Sequence, residues 1–125
     1  MKLSFFCGMF STAALFCSAC KPNSSSAPLF SMGGDPARGR AAIDRYGCAG
    51  CHTIPGARNT TALVGPTLEK IASRSYVGGV TANTPENMIR WILNPQSLNP
   101  RSAMPNLRVT ESDARDIASY LYTLR

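Results

Sequence analysis

Apolar and polar positions divide the chain into three zones. After Met1-Lys2, the run Leu3 to Ala19 holds 17 residues without a charge, rich in Phe, Leu, Ala and Cys. A short basic start followed by such a run is the layout of an export signal, and the run is short for a membrane span. Lys21 to Pro28 is a polar stretch of Ser, Asn and Pro with no core-forming pattern, which reads as a tether. From Gly34 onward apolar residues recur at helical spacing. The expected organisation is therefore an export signal over 1–19, a tether over 20–33 and one domain over 34–125.

Within that domain the pattern predicts four helices and no strand. Asp35-Pro36 supplies an N-cap and a proline at the first helical position, opening a helix to about Tyr46 that Gly47 ends. Gly39 and Ile43 share one face of it. A glycine inside a helix costs about 1 kcal/mol against alanine, so Gly39 is read as serving close approach by another helix. Thr67 to about Arg74 reads as a short helix with Leu68 and Ile71 inward, and Tyr76 to Asn83 as a glycine-rich loop. Thr84-Pro85-Glu86 caps a third helix that buries Met88, Ile89, Trp91 and Ile92, and Asn94-Pro95 stops it. The stretch from Gln96 to Leu107 reads as irregular. Thr110 to Asp113 resembles a capping box, and Ile117, Tyr120, Leu121 and Leu124 then recur on one side of a last helix. The fold class is all-α.

Chemistry enters with Cys48-Ala-Gly-Cys51-His52. Cys-x-x-Cys-His is the spacing of a c-type haem attachment site: two thiols one turn apart each add to a vinyl group of one porphyrin. The adjacent imidazole then faces the iron. Half of a zinc site would need two further Cys or His ligands. His52 is the one histidine of the chain, and the other three cysteines lie within the first twenty residues. A thioredoxin-like pair would need a βαβ context that the pattern lacks. About 90 residues bury only a modest core alone, so a porphyrin would supply much of the interior.

Phe16-Cys17-Ser-Ala-Cys20 resembles a bacterial lipoprotein box, in which Cys20 becomes the lipid-bearing N-terminus. Cys17 stands where a large aliphatic residue is usual. Ordinary signal cleavage and an uncleaved anchor are the rival readings. Cleavage before Cys20 removes Cys7 and Cys17 and leaves no free thiol once lipid and haem are attached. The chain has 13 basic and 7 acidic residues. Losing Lys2 with the signal leaves twelve against seven, a net charge of +5. A moderate positive field steers docking to acidic partners. No basic run interleaved with aromatics suggests nucleic acid, and no small-molecule substrate is expected.

With one histidine, a bis-histidine haem is impossible. Met104 sits in a proline-stiffened loop, Arg101-Ser-Ala-Met104-Pro105, and is the candidate sixth ligand, against a reading as mere loop packing. Met88, on a helix one turn before Ile92, suits the core.

Cys48-Ala-Gly-Cys-His52-Thr-Ile, Gly65-Pro66-Thr-Leu, Ala72-Ser-Arg74, Asn83-Thr-Pro-Glu86, Trp91-Ile-Leu-Asn-Pro95-Gln, Met104-Pro105 and Ala118-Ser-Tyr120-Leu121 together carry a resemblance. Residues 34–125 resemble the monohaem class I cytochromes c, most of all the cytochrome c domain of subunit II of caa3-type oxidases. The resemblance implies a small cytochrome c fold, about four helices around one covalent haem c. It implies thioethers at Cys48 and Cys51, and His52 and Met104 as axial ligands. Pro66 matches the proline whose carbonyl accepts the other ring N–H of the haem histidine. Gly39, Ile43, Ile117 and Tyr120 match the crossing of terminal helices. Arg74 and Trp91 match propionate neighbours, with a surface arginine and a core tryptophan as the plain alternatives.

The expected function is one-electron transfer, without enzyme activity, on the periplasmic side of a bacterial membrane to which lipid at Cys20 tethers the domain. The donor would be a quinol-oxidising complex or dehydrogenase and the acceptor a terminal oxidase. Two alternatives stand beside it. One is a gas sensor or peroxidase-like protein with a labile sixth ligand, for which no spare histidine supplies a distal acid–base group. The other is a fixed cytochrome c subunit of a respiratory complex.

Overall fold

The computed structural model describes residues 33–58, 62 and 64–125. The export segment, Cys20 and the tether up to Met32 lie outside the described residues. Helix α1, Pro36–Arg45, starts as its cap predicts: Asp35 Oδ1 accepts from the N–H groups of Ala37 (2.7 Å) and Arg38 (3.2 Å). Gly47, at φ +70°, ends it. Helix α2, Pro85–Leu93, is capped by Thr84, and helix α4, Glu111–Leu121, by Thr110.

Helices α1 and α4 pack face to face. Gly39 makes this possible, because a Cβ there would overlap the carbonyl of Asp116. Ala42 and Ile43 meet Ala114, Ile117, Ala118 and Leu121 in the same apolar cluster. Burying each of Ile43, Ile117 and Leu121 contributes about 2 kcal/mol, and each alanine less. Met88, Ile89 and Ile92 of α2 complete the core against α4.

Four predicted features differ. The Thr67–Arg74 helix is a single 3₁₀ turn, Ile71–Ser73, because Lys70 adopts left-handed backbone (φ +53°) and breaks the helical path. Ile71 is nevertheless buried and Leu68 packs against the core, as the pattern indicated. The glycine-rich loop holds a two-residue hairpin, β1 (Tyr76–Val77) antiparallel to β2 (Thr81–Ala82), with Tyr76 opposite Ala82. Pro95 stops α2 but starts a further single-turn helix, α3, Pro95–Leu98, since its fixed φ suits a first helical position. At α4 the capping box is only half formed. Thr110 Oγ1 accepts from Asp113 N–H at 3.2 Å, but the Asp113 carboxylate turns to α1, accepting from Tyr46 Oη and Arg45 at 2.7 Å each.

Polar ties reinforce the helix pair. Asp116 is only 3 % exposed, and its oxygens accept from Arg38 Nε (2.8 Å), Arg38 Nη2 (3.0 Å) and the Asp35 N–H (2.7 Å). The Arg38 hydrogen bond holds the Asp116 carboxyl below its ordinary range, against the opposing effect of burial. Tyr120 Oη donates to the Pro55 carbonyl (2.6 Å). Tyr122 Oη donates to Asn83 Oδ1 (2.9 Å), and Asn83 Nδ2 donates to the carbonyls of Ile71 and Arg74. The C-terminal helix thus ties to the loops that surround the site.

Candidate functional site

The turn that ends α1 builds the first wall. Cys48–Gly50 forms one 3₁₀ turn, with the N–H groups of Cys51 and His52 both donating to the Cys48 carbonyl. Both thiols are free and half-buried, and burial pushes the Cys48 thiol up, which keeps it protonated. His52 Nδ1 lies 2.8 Å from the Pro66 carbonyl oxygen. That oxygen can only accept, so Nδ1 carries the ring proton and Nε2 keeps its lone pair for a metal. The loop presenting Pro66 is held by Gly65 N–H to Cys51 O (2.7 Å) and Leu68 N–H to Thr53 O (2.8 Å). Gly65 is required there, since a Cβ would come within 2.6 Å of the His52 Nδ1.

These groups line one cavity of about 640 Å³. Cys48, Cys51, His52, Pro66, Arg74, Trp91 and Met104 all border it, so every described residue singled out from the sequence is brought together. Apolar side chains, among them Ile54, Leu68, Ile92 and Val109, make up much of the wall. Met88 borders the cavity from within the core cluster. Arg74 spends Nη2 on the carbonyls of Thr67 (2.5 Å) and Glu69 (3.1 Å), fixing the loop after Pro66. Trp91 is half-buried and its ring covers Gly78 of the hairpin turn.

Sequence reasoning missed two site residues. Gln96, on α3, donates from Nε2 to the carbonyls of Met104 (2.6 Å) and Ser102 (3.2 Å). Arg101 borders the cavity beside Met104. Gln96 closes the stretch Trp91-Ile-Leu-Asn-Pro95-Gln that carries the resemblance, but the hydrophobic pattern gave it no role, because it opens a stretch that reads as irregular.

Charge is distributed unevenly around the cavity. Its charged lining residues are Arg74 and Arg101. Asp35, Asp44, Glu111, Asp113 and Asp116 are all engaged by arginines of α1, α4 and the Arg58 loop. Val64 (82 % exposed), Tyr76 (62 %) and Leu107 border the cavity and also face solvent, so its mouth is apolar and fringed by cations.

The donor set fits a haem. Two thiols, an imidazole with a free Nε2 and a thioether meet at one apolar cavity, and imidazole with thioether is an established axial pair for iron porphyrin. Among the described residues no three His, Cys, Asp or Glu gather as a metal cluster, and no helix is long and apolar enough to cross a membrane.

Comparison with known proteins points the same way. Residues 36–125 match the family model described as Cytochrome c. The chain is 32 % identical over 89 residues to cytochrome c oxidase subunit 2 of Alkalihalophilus pseudofirmus, covering 70 % of this chain and 25 % of the relative. It is 28 % identical over 92 residues to the protein of the same name from Bacillus sp. strain PS3, covering 67 % and 25 %. The chain thus spans about a quarter of the length of these curated relatives. Cytochrome c2 from Rhodobacter sphaeroides superposes with a TM-score of 0.51 at 22 % identity, over 73 % of this chain and 96 % of that one, a likeness of fold.

Proposed function

The chain belongs to the cytochrome c family of electron carriers, and from that premise we propose a specific assignment. It carries one covalent haem c, attached through Cys48 and Cys51, with His52 and Met104 as axial ligands. The observation that supports this is the shared cavity: both thiols, the imidazole and the thioether border the same apolar space. When bound, the haem supplies iron that cycles between Fe(II) and Fe(III). His52 offers Nε2 while Pro66 fixes its tautomer and ring orientation. Met104 offers a soft sulfur that favours the reduced state over a second imidazole. Ile54, Leu68, Ile92 and Val109 exclude water from the iron, which keeps reorganisation small. Arg74 and Trp91, both at the cavity, are assigned to the propionate side.

The relatives are named as oxidase subunits, and the acceptor proposed for this chain is a terminal oxidase. A quinol-oxidising complex or dehydrogenase would be the donor. The apolar mouth with Arg101 at its edge is the face such partners would use, and Arg101, which makes no ion pair among the described residues, favours an acidic counterpart. Lipid on Cys20 would tether the domain to the periplasmic side of the membrane after removal of residues 1–19, raising its local concentration near membrane-bound partners.

Mass spectrometry of the protein matured in a haem-attaching periplasm tests the assignment. One haem is expected on wild type and none held covalently on the Cys48→Ser, Cys51→Ser double variant. Wild type without covalent haem would overturn it. Cys20→Ser is expected to leave the membrane fraction, and its unchanged retention there would remove the lipid anchor.

A further inference from the structure

We infer that Gln96 is the positioning residue that holds Met104 at the iron, an inference that rests on the axial assignment of Met104 proposed above. Gln96 lies on α3, the single turn Pro95–Leu98, whose own end is fixed by Asn99 N–H donating to the Pro95 carbonyl at 2.9 Å. From there its Nε2 reaches across to the carbonyls of Ser102 and Met104, six and eight residues on. The loop it grips has little other support. Among the described residues no backbone–backbone hydrogen bond involves residues 103 to 109. The remaining hydrogen bonds of the loop are local: Ser102 N–H to the Asn99 carbonyl, Met104 N–H to Ser102 Oγ, Arg101 N–H to Asn99 Oδ1 and Arg108 N–H to Asn106 Oδ1. One carboxamide therefore links the methionine's backbone to a helix. Gln96 is half-buried, so its N–H groups meet less competition from water than at an open surface. A thioether is a weak ligand, and how tightly it closes the iron depends on how firmly its loop is held.

Gln96→Glu keeps the size of the side chain but removes both N–H donors, and Gln96→Leu removes all its polarity. Imidazole binding to the oxidised haem-loaded protein reads the grip on Met104 directly, because imidazole must displace the sulfur. Each variant is expected to bind imidazole about tenfold more tightly than wild type, since both hydrogen bonds from Nε2 to the loop are lost. The reduction potential is expected to fall in parallel. Asp116→Asn, which weakens the α1–α4 crossing at a residue that does not border the cavity, serves as the control and is expected to leave imidazole affinity unchanged. Wild-type affinity in both Gln96 variants would overturn the inference, as would equal tightening in Asp116→Asn. The underlying assignment fails separately: the wild-type protein would then lack an iron–thioether absorption band, or Met104→Ala would retain it.

Discussion

The crossing of α1 with α4 and the loop that carries Met104 are built on opposite plans. At the crossing, backbone meets backbone over Gly39, aliphatic side chains fill the gap, and Asp116 and Asp113 each bind an arginine of the other helix. From Ala103 to Val109 no backbone–backbone hydrogen bond occurs among the described residues, and one carboxamide supplies the link to a helix. The first region is held by its own contacts. The second lines the cavity and relies on what fills it. On the proposed ligation, that division suits an electron carrier, in which a rigid shell would fix the attachment site while the weak ligand would be tuned by a few contacts.

Substitution at Gly39 breaks the comparison at its strong side and carries the largest effect. Gly39→Val drives a branched side chain into the Asp116 carbonyl, a contact the backbone cannot relieve without separating the helices. A loss of about 3 kcal/mol or more is expected in denaturant unfolding of the haem-loaded protein, enough to reduce its yield sharply.

Asp116→Asn follows, at about 2 kcal/mol, since Arg38 and the Asp35 N–H lose a charged acceptor. The pH dependence has a definite sign. Asp116, Asp113 and Asp44 all have carboxyls held below the ordinary value of 3.8 by hydrogen bonds, chiefly from Arg38, Tyr46 and Arg40 respectively. The unfolded chain therefore binds more protons in that range. Their stabilisation is complete above pH 3.8 and is lost as the pH falls below it through the depressed folded values. Acid unfolding curves should be less steep in Asp116→Asn than in wild type.

Smaller effects sharpen the weak side. Tyr122→Phe removes the donor to Asn83 Oδ1 and is expected to cost about 1 kcal/mol, with faster amide exchange near Ile71 and Arg74. Arg101→Glu should leave thermal stability near wild type, because Arg101 makes no ion pair among the described residues. It should slow electron transfer to an acidic partner severalfold at low salt, the difference fading as salt rises.

Helix starts were legible in the sequence because caps are local chemistry: Asp35-Pro36, Thr84-Pro85 and Thr110 each begin a helix where the residue types demand it. The candidate site was legible for a similar reason, since a five-residue motif fixes two thiols and an imidazole, and a single histidine narrows the sixth position. Features set by tertiary context were not. The left-handed Lys70 carries no sequence mark, the β1–β2 hairpin is too short to alternate, and Pro95 both ends α2 and begins α3. Asp116 sits at a position that periodicity leaves polar, yet it is buried because Arg38 arrives from another helix. The role of Gln96 was not legible because its partners are backbone carbonyls, which every residue possesses.

The ligation of the iron decides the account most directly. Absorption spectra of haem-loaded wild type and Met104→Ala would be recorded oxidised, reduced, and reduced under carbon monoxide. The account predicts an iron–thioether band in oxidised wild type that Met104→Ala lacks, with a carbon monoxide adduct forming only in the variant. Ready adduct formation by wild type would contradict it, and an open-iron sensor or peroxidase-like protein would take its place.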